Sequence, residues 1–191
     1  KGYSEGLATT MFNLIEPFAG YAFNKAHSVS YAMIAYWTAY FKANYPIEYF
    51  TAVVNAFSGT PEKVGECVRE ARRHRIEVLP PDVNRSRAGF AIEPAPDGAW
   101  AIRFGLAAIK NVGAAAVEPI VTARESGGEF STLEDLCGRV EFKGMNRRTI
   151  ESLIKAGALD RFGLRGSLLE AADRILAAGQ RQARLRGSGQ G

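Results

Sequence analysis

Histidine and cysteine are scarce in this sequence of 191 residues, which contains two of each. The cysteines, Cys67 and Cys137, have neither the number nor the spacing of a disulfide framework or a zinc site. We expect both to be free thiols on buried apolar helix faces in a reducing compartment. Because no paired carboxylates stand on a predicted strand either, we predict no catalytic and no metal-binding residues.

Long apolar runs are also absent. Lys25, Lys42 and Glu48 interrupt the most apolar region before it reaches the roughly 18 residues that a membrane span requires. The first residues do not form the apolar core of a signal peptide. We therefore expect no membrane partner and a cytoplasmic location. The sequence begins at Lys1 rather than Met, which we interpret as the sign of a fragment of a longer chain.

Basic residues are in mild excess, with a net charge of +4 and a pI near 9.2. Lys and Arg outnumber Asp and Glu in residues 1–75 and 105–191, but not in residues 76–104. This distribution favours a polyanionic partner for the two outer regions without identifying it.

The apolar residues of the first 75 positions recur at helical spacing, which predicts four helices. The first ends at Pro17–Gly20, the second runs from Ser28 to Tyr45, the third starts at Pro46, and Thr60-Pro61-Glu62 opens the fourth. Later, Phe90–Ile92 and Trp100–Phe104 flank a Pro- and Gly-containing turn, which predicts two short strands. Short helices broken by glycine follow, so the predicted fold class is mainly α.

One segment with candidate binding chemistry runs from Tyr21 to Ser28 and leads into the second helix. Lys25 and His27 beside a helix N-terminus would attract a triphosphate, and the rings of Tyr21 and Phe23 could stack on a base. The alternative is that both rings belong to a core and that His27-Ser28 only caps the helix. The residue types alone do not decide between these interpretations.

Two later segments are typical of helix-hairpin-helix motifs. The first has a turn at Lys110-Asn111-Val112-Gly113, where Asn111 stands in the place of the usual first glycine, and Asn tolerates positive φ better than most residues. The second has its turn at Lys143-Gly144-Met145-Asn146-Arg147-Arg148, where Asn146 stands in the place of the second glycine. Such turns bring backbone N–H groups to DNA phosphates without reading sequence. Either could instead be a structural turn, but two basic hairpins within forty residues favour a paired DNA-backbone binder.

Several strings of the sequence resemble the family C DNA polymerases, the bacterial DNA polymerase III alpha subunits. They are FAGYAFNKAHSVSYAMIAYWTAYFKANYPIEYF, RRHRIEVLPPDVNRS, IRFGLAAIKNVG, NRRTIESLIKAGALD and the closing GSGQG. They occur in the family's order and together span almost the whole chain. Lys25 stands where the error-prone branch departs from the pattern, so the replicative branch is the better match.

The residue patterns and the resemblance together imply a domain order. Residues 1–80 would form the C-terminal part of the polymerase fingers, 81–105 a short β connector, 106–178 a tandem helix-hairpin-helix domain, and 179–191 a flexible linker. Tyr21, Phe23, Lys25 and His27 would bind the incoming deoxynucleoside triphosphate. Duplex primer-template DNA would be held by the residues at the two hairpin turns, which are Lys110, Asn111, Gly113, Lys143, Gly144, Asn146, Arg147 and Arg148.

The resemblance also implies what this segment lacks. The metal-binding aspartates of the family, which hold Mg²⁺, belong to a palm domain N-terminal to Lys1, and the principal sliding-clamp motif lies beyond Gly191. The expected partners are therefore DNA, nucleotide, the remainder of the subunit and, through it, the clamp and replisome. Enzyme activity would belong to the intact polymerase and not to this fragment alone. The alternatives are a helix-hairpin-helix module of another DNA enzyme, such as a ligase or nuclease, or a helical scaffold that binds protein.

Overall fold

The computed structural model describes residues 2–19, 24–95 and 97–187. The chain divides into two compact units, Lys1–Asn44 and Tyr45–Gly191. The fold is mainly α, as predicted, with one small sheet in the second unit.

The first unit contains helices α1 (Glu5–Ala19) and α2 (Lys25–Asn44). Helix α1 ends at Ala19, within the predicted Pro17–Gly20 segment, and Pro17 itself lies in its last turn. Helix α2 begins three residues before the predicted Ser28. The side-chain Oδ1 of Asn24 accepts a hydrogen bond from the backbone N–H of His27 at 3.0 Å and so caps the helix. Neither helix has a buried side chain among its described residues.

The second unit opens with α3 (Pro46–Ala56) and α4 (Pro61–Arg73), and each has proline at its start, as predicted. Strands β1 (Val78–Leu79), β2 (Ala91–Pro94) and β3 (Trp100–Arg103) form a sheet in the order β1-β3-β2. The pairing of β2 with β3 is antiparallel and confirms the predicted hairpin. The pairing of β1 with β3 is parallel and was not predicted.

The predicted division of the chain at residues 80 and 105 differs from the structure. Phe90 and Ile102, from the predicted β connector, share a hydrophobic core with Phe50 and Val54 of α3. The side-chain amide of Asn55 reinforces this contact, because it donates to the carbonyl of Phe90 and accepts from its N–H, both at 2.9 Å. Helices α3 and α4 therefore belong with the sheet and not with the first unit.

The rest of the second unit is helical: α5 (Ala114–Gly127), α6 (Leu133–Arg139), α7 (Arg147–Ala156), α8 (Arg165–Glu170) and α9 (Ala172–Gly187). These helices enclose the larger hydrophobic core, which includes Cys137. Burial raises the pKa of the Cys137 thiol to about 11, which leaves it protonated and unreactive at neutral pH. Cys67 is also a free thiol, although it is only partly buried.

Helix α9 continues to residue 187, so residues 179–187 do not form the predicted flexible linker, and residues 188–191 lie outside the described part. The linker was predicted to begin at Gly179, because glycine commonly breaks helices. Gly179 is buried inside the helix, where a β-carbon would overlap the ring of Phe142. The glycine therefore permits a close approach of α9 and does not indicate a break.

We expect Gly179→Ala to lower the free energy of unfolding by about 1–3 kcal/mol, because the ring of Phe142 is itself buried and cannot move aside without strain. Helix propensity alone predicts the opposite sign, a gain of about 1 kcal/mol. Urea denaturation followed by circular dichroism measures the difference. Gly166→Ala in α8 is the matched control, because nothing lies within 4 Å of its β-carbon, and it should not destabilise the chain. Stabilisation by both substitutions would contradict the packing explanation.

Candidate nucleic-acid interface

The first hairpin turn joins a single 3₁₀ turn, Leu106–Ala108, to α5. Asn111 has a φ of 65°, in the left-handed region, as the sequence predicted for this asparagine. The next residue, Val112, is buried, and its N–H donates to the carbonyl of Ile109 at 3.0 Å. Gly113 then precedes the first turn of α5 with extended backbone (φ −87°, ψ 164°).

The second hairpin turn joins α6 to α7 and repeats this geometry. Gly144 has a φ of 84°, and the buried Met145 follows it, with its N–H donating to the carbonyl of Phe142 at 3.1 Å. Asn146 precedes α7 with extended backbone (φ −127°, ψ 172°), and its Oδ1 accepts a hydrogen bond from the N–H of Thr149 at 3.0 Å.

The two turns are equivalent position by position. Each has a left-handed residue (Asn111 or Gly144), then a buried apolar residue, then an extended residue before a helix (Gly113 or Asn146). Only the first of these positions requires glycine or asparagine, because extended backbone is open to any residue. The apparent loss of one glycine from each motif therefore leaves both turns intact.

The hairpins contact each other directly. The hydroxyl of Thr149 donates to the carbonyl of Asn111, and the side-chain amide of Asn111 donates to the hydroxyl of Ser152, both at 3.2 Å. Between them lies a groove of about 620 Å³. Its polar lining comes from both motifs and consists of Lys110, Asn111, Arg148, Glu151, Ser152 and Lys155.

The predicted basic residues differ in how they are engaged. Lys110, Lys143 and Arg148 are exposed and make no ion pair within the described part of the chain. Arg147, in contrast, pairs with Glu151 at 2.8 Å and with Asp173 at 2.9 Å. The hydrogen bond to Glu151 raises the pKa of Arg147 most, and the negative charges of Asp173 and Glu151 raise it further. Arg147 is therefore committed to holding α7 against the start of α9.

Glu151 is the one acidic residue among those that line the groove, and it is engaged by cations on both sides. It accepts from Arg147, and it pairs with Lys155 at 3.0 Å. These two hydrogen bonds lower the pKa of Glu151, so the carboxylate stays ionised. Its charge is offset within the groove, which leaves Lys110 and Arg148 as the cations open to an anion.

The loop before β2 fixes the position of the first hairpin, a role that the sequence did not predict. Asn84 is buried, and its amide donates to the carbonyl of Phe130 at 2.9 Å and accepts from its N–H at 2.8 Å. Arg124 of α5 donates to the carbonyls of Val83 and Ser86, at 2.9 and 2.7 Å. Burial lowers the pKa of Arg124, but its two carbonyl partners replace the lost water.

The same loop also reaches the second hairpin. The N–H of Val83 donates to the carbonyl of Ala158, just beyond the C-terminus of α7, at 3.0 Å. Both hairpins are thus hydrogen-bonded to one short segment. The only sequence signal for this role was the density of Asp, Asn and Ser in residues 82–86, since these side chains commonly bond nearby backbone.

The predicted nucleotide-binding residues belong to the other unit. Lys25 and His27 lie in the first turn of α2 and not in a preceding loop. The ring of His27 lies 4.3 Å, centroid to centroid, from that of Tyr31. Tyr21 and Phe23 lie outside the described residues. Lys25 therefore carries its charge at the positive end of a 20-residue helix.

The part of the chain that the structure describes contains neither a metal site nor a membrane span. In residues 2–19, 24–95 and 97–187, no three His, Cys, Asp or Glu side chains come close enough together to hold a metal ion. Over the same ranges, no helix has the length and apolar character needed to cross a membrane.

Comparison with known proteins gave one family model and a set of close relatives. Residues 75–168 match the model described as a helix-hairpin-helix motif. The chain is 43% identical over 176 residues to the DNA polymerase III subunit alpha of Thermus aquaticus. The aligned region covers 92% of this chain and 14% of the relative. It is also 42% identical over 191 residues to the DNA polymerase III subunit alpha of Escherichia coli, and this alignment covers 100% of this chain and 16% of the relative. The subunit of Deinococcus radiodurans is 43% identical over 92% of this chain and 13% of its own length. The chain thus spans about one seventh of the curated relatives it matches.

Proposed function

Because this chain is related along its length to the alpha subunits of bacterial DNA polymerase III, we propose that it grips duplex DNA within such a subunit. The grip is directed at the phosphate backbone and does not depend on base sequence. In the intact subunit the first turn of α2, with Lys25 and His27, lines the pocket for the incoming nucleotide. Polymerase activity itself belongs to the whole subunit, of which this chain corresponds to a small part.

One observation carries the proposal. Two equivalent hairpin turns meet at a groove, and each places an exposed and unpaired cation there, Lys110 from the first and Arg148 from the second. Backbone N–H groups at such turns, together with basic side chains, supply donors and charge for phosphate oxygens. Lys143 adds a third exposed cation at the second turn. Arg147 contributes less in this proposal, because Glu151 and Asp173 already occupy its guanidinium.

A polymerase explains the comparisons better than a ligase or nuclease with the same module does. A shared hairpin module would account for similarity over residues 75–168. The similarity to the E. coli subunit extends over the whole chain, including α1 and α2. We therefore assign the first unit to the fingers and expect a cytoplasmic location with the replication machinery.

The remainder of the subunit is the proposed partner of the first unit. Large apolar side chains on both of its helices are exposed, among them Phe18 (73%), Tyr36 (66%) and Trp37 (52%). Apolar surface of this extent typically belongs to an interface. In the proposed assembly, these side chains are covered by other parts of the polymerase, and the clamp and replisome bind elsewhere on the subunit.

Salt titration of duplex binding tests the grip. We expect the affinity of the 191-residue chain to fall steeply with salt, and the double variant Lys110→Ala/Arg148→Ala to reduce the slope of log K against log salt by about 1.8, or about 0.9 per lost phosphate contact. The matched control is Arg69→Ala/Arg72→Ala, which removes the same charge from the exposed side of α4. An absence of binding at low salt, or equal losses in both double variants, would overturn the proposal.

A further inference from the structure

Helix α9 has two opposite faces. Its buried residues, including Ile175 and Gly179, pack against α6 and α7, the two helices that flank the second hairpin turn. At about 100° per residue, Arg174, Arg181 and Arg184 fall within an arc of about 80° on the side away from that core. All three are exposed, and we call them the α9 arginine stripe.

The α9 arginine stripe has no carboxylate in its own helix that is free to pair with it. Asp173 is the last acidic residue of the sequence, and its carboxylate already pairs with Arg147 at 2.9 Å. None of the three arginines makes an ion pair or hydrogen bond with another described side chain. A row of like charges without internal partners costs repulsion energy, which an external polyanion would relieve.

The stripe begins beside the second hairpin. Asp173, next to Arg174, is held by Arg147, the first residue of α7 and the neighbour of Arg148 in the groove. Further along α9, Gly179 lies against the ring of Phe142, which directly precedes Lys143 in the turn. These two contacts hold the first half of α9 beside the second hairpin.

We propose that the α9 arginine stripe is a second contact for the DNA phosphate backbone, which extends the grip of the hairpins along the duplex. This inference rests on the proposed function. From Arg174 to Arg184 the helix rises about 15 Å, and that length of duplex axis carries about nine phosphates. Each guanidinium can therefore bind a phosphate oxygen, bidentately where the geometry allows, without a required base sequence. Charge and continuity with the hairpins favour DNA over an acidic protein as the occupant.

The test is the salt dependence of duplex binding by the 191-residue chain with the triple variant Arg174→Gln/Arg181→Gln/Arg184→Gln. Loss of three phosphate contacts should reduce the slope of log K against log salt by about 2.7. The control is Arg69→Gln/Arg72→Gln/Arg75→Gln, which removes three exposed charges at the end of α4, and its slope should stay near that of the unaltered chain. Urea denaturation should show equal stability for all three proteins, because the substituted side chains are exposed.

The outcomes separate this inference from the function on which it rests. An unchanged slope in the triple variant, with a reduced slope in Lys110→Ala/Arg148→Ala, overturns the stripe as a DNA contact and leaves the hairpin grip in place. Equal slope losses in the stripe and α4 variants also overturn it, because net charge would then be the cause. If the unaltered chain does not bind duplex DNA at low salt, both proposals fail.

Discussion

Replacing Asn84 by alanine lowers the free energy of unfolding of the second unit by about 3 kcal/mol. The Asn84 amide satisfies both backbone groups of Phe130, and the residues at the two ends of this contact are buried, at 4% and 1% exposure. Alanine leaves a buried N–H and a buried carbonyl without partners, and each such group costs about 1–3 kcal/mol. Urea denaturation followed by circular dichroism measures the loss.

Ser126→Ala is the control for this prediction. Ser126 is exposed and lies in α5 of the same unit, and its hydroxyl donates to the carbonyl of Thr122 in the same helix. We expect a change within about 0.5 kcal/mol, as for most surface substitutions. If Asn84→Ala is as mild as the control, the contact of Asn84 with Phe130 does not anchor the loop at residues 82–86, and the hydrogen bonds of Arg124 to Val83 and Ser86 must do so instead.

Asn84→Ala should also weaken the binding of duplex DNA. The loop that Asn84 anchors is bonded to α5 through Arg124 and to the end of α7 through Val83. Loosening it should let the two hairpin turns move relative to each other, which weakens contacts that depend on their common groove. We therefore infer that residues remote from the phosphates set the spacing of the cations that bind them.

The turn conformations could be predicted from residue type because they are local. An asparagine at the first turn position was expected to adopt positive φ, and Asn111 confirms this with a φ of 65°. Asn146 was expected to replace the second glycine of its turn, and the geometry at this position requires no glycine. Its extended backbone and its hydrogen bond to the N–H of Thr149 make it a helix cap, which is a common use of asparagine.

The division into units could not be predicted, because it depends on contacts between residues far apart in sequence. Periodicity identifies α3 as a helix but does not say which core its apolar face joins. The contacts of Phe50 and Asn55 with Phe90, about forty residues later in the chain, place α3 against the sheet. No local pattern contains that information.

The ion pairs, too, could be predicted from the sequence only where both partners lie close together in the chain. The pairing of Arg147 with Glu151 follows from their i, i+4 spacing on one helix. Its second partner, Asp173, lies 26 residues away, so sequence alone could not show that Arg147 is committed to the contact with α9. In the proposed grip, the cations expected to contact DNA are therefore Lys110, Lys143 and Arg148.

In a polymerase subunit that carries this segment, Lys25→Ala should lower kcat/KM for the incoming nucleotide by about 100-fold. Lys25 is the first residue of α2, where its charge adds to the positive end of the helix dipole and to free N–H groups. A triphosphate bound there would lose a charge-assisted hydrogen bond that strengthens as charge develops in the transition state, a loss of about 2.7–4 kcal/mol in comparable sites.

The same substitution should leave duplex affinity and its salt slope nearly unchanged, because the cations of the hairpin groove lie in the other unit. Steady-state incorporation kinetics and a salt titration on one preparation measure the two properties separately. Lys42→Ala, in the last turn of the same helix, removes an equal charge from the opposite end and should have little effect on nucleotide use. Lys25→Arg keeps the charge and should restore part of the activity. An unchanged Michaelis constant and rate for Lys25→Ala would remove the start of α2 from the nucleotide pocket, whereas a loss of DNA affinity would mean that Lys25 serves the grip instead.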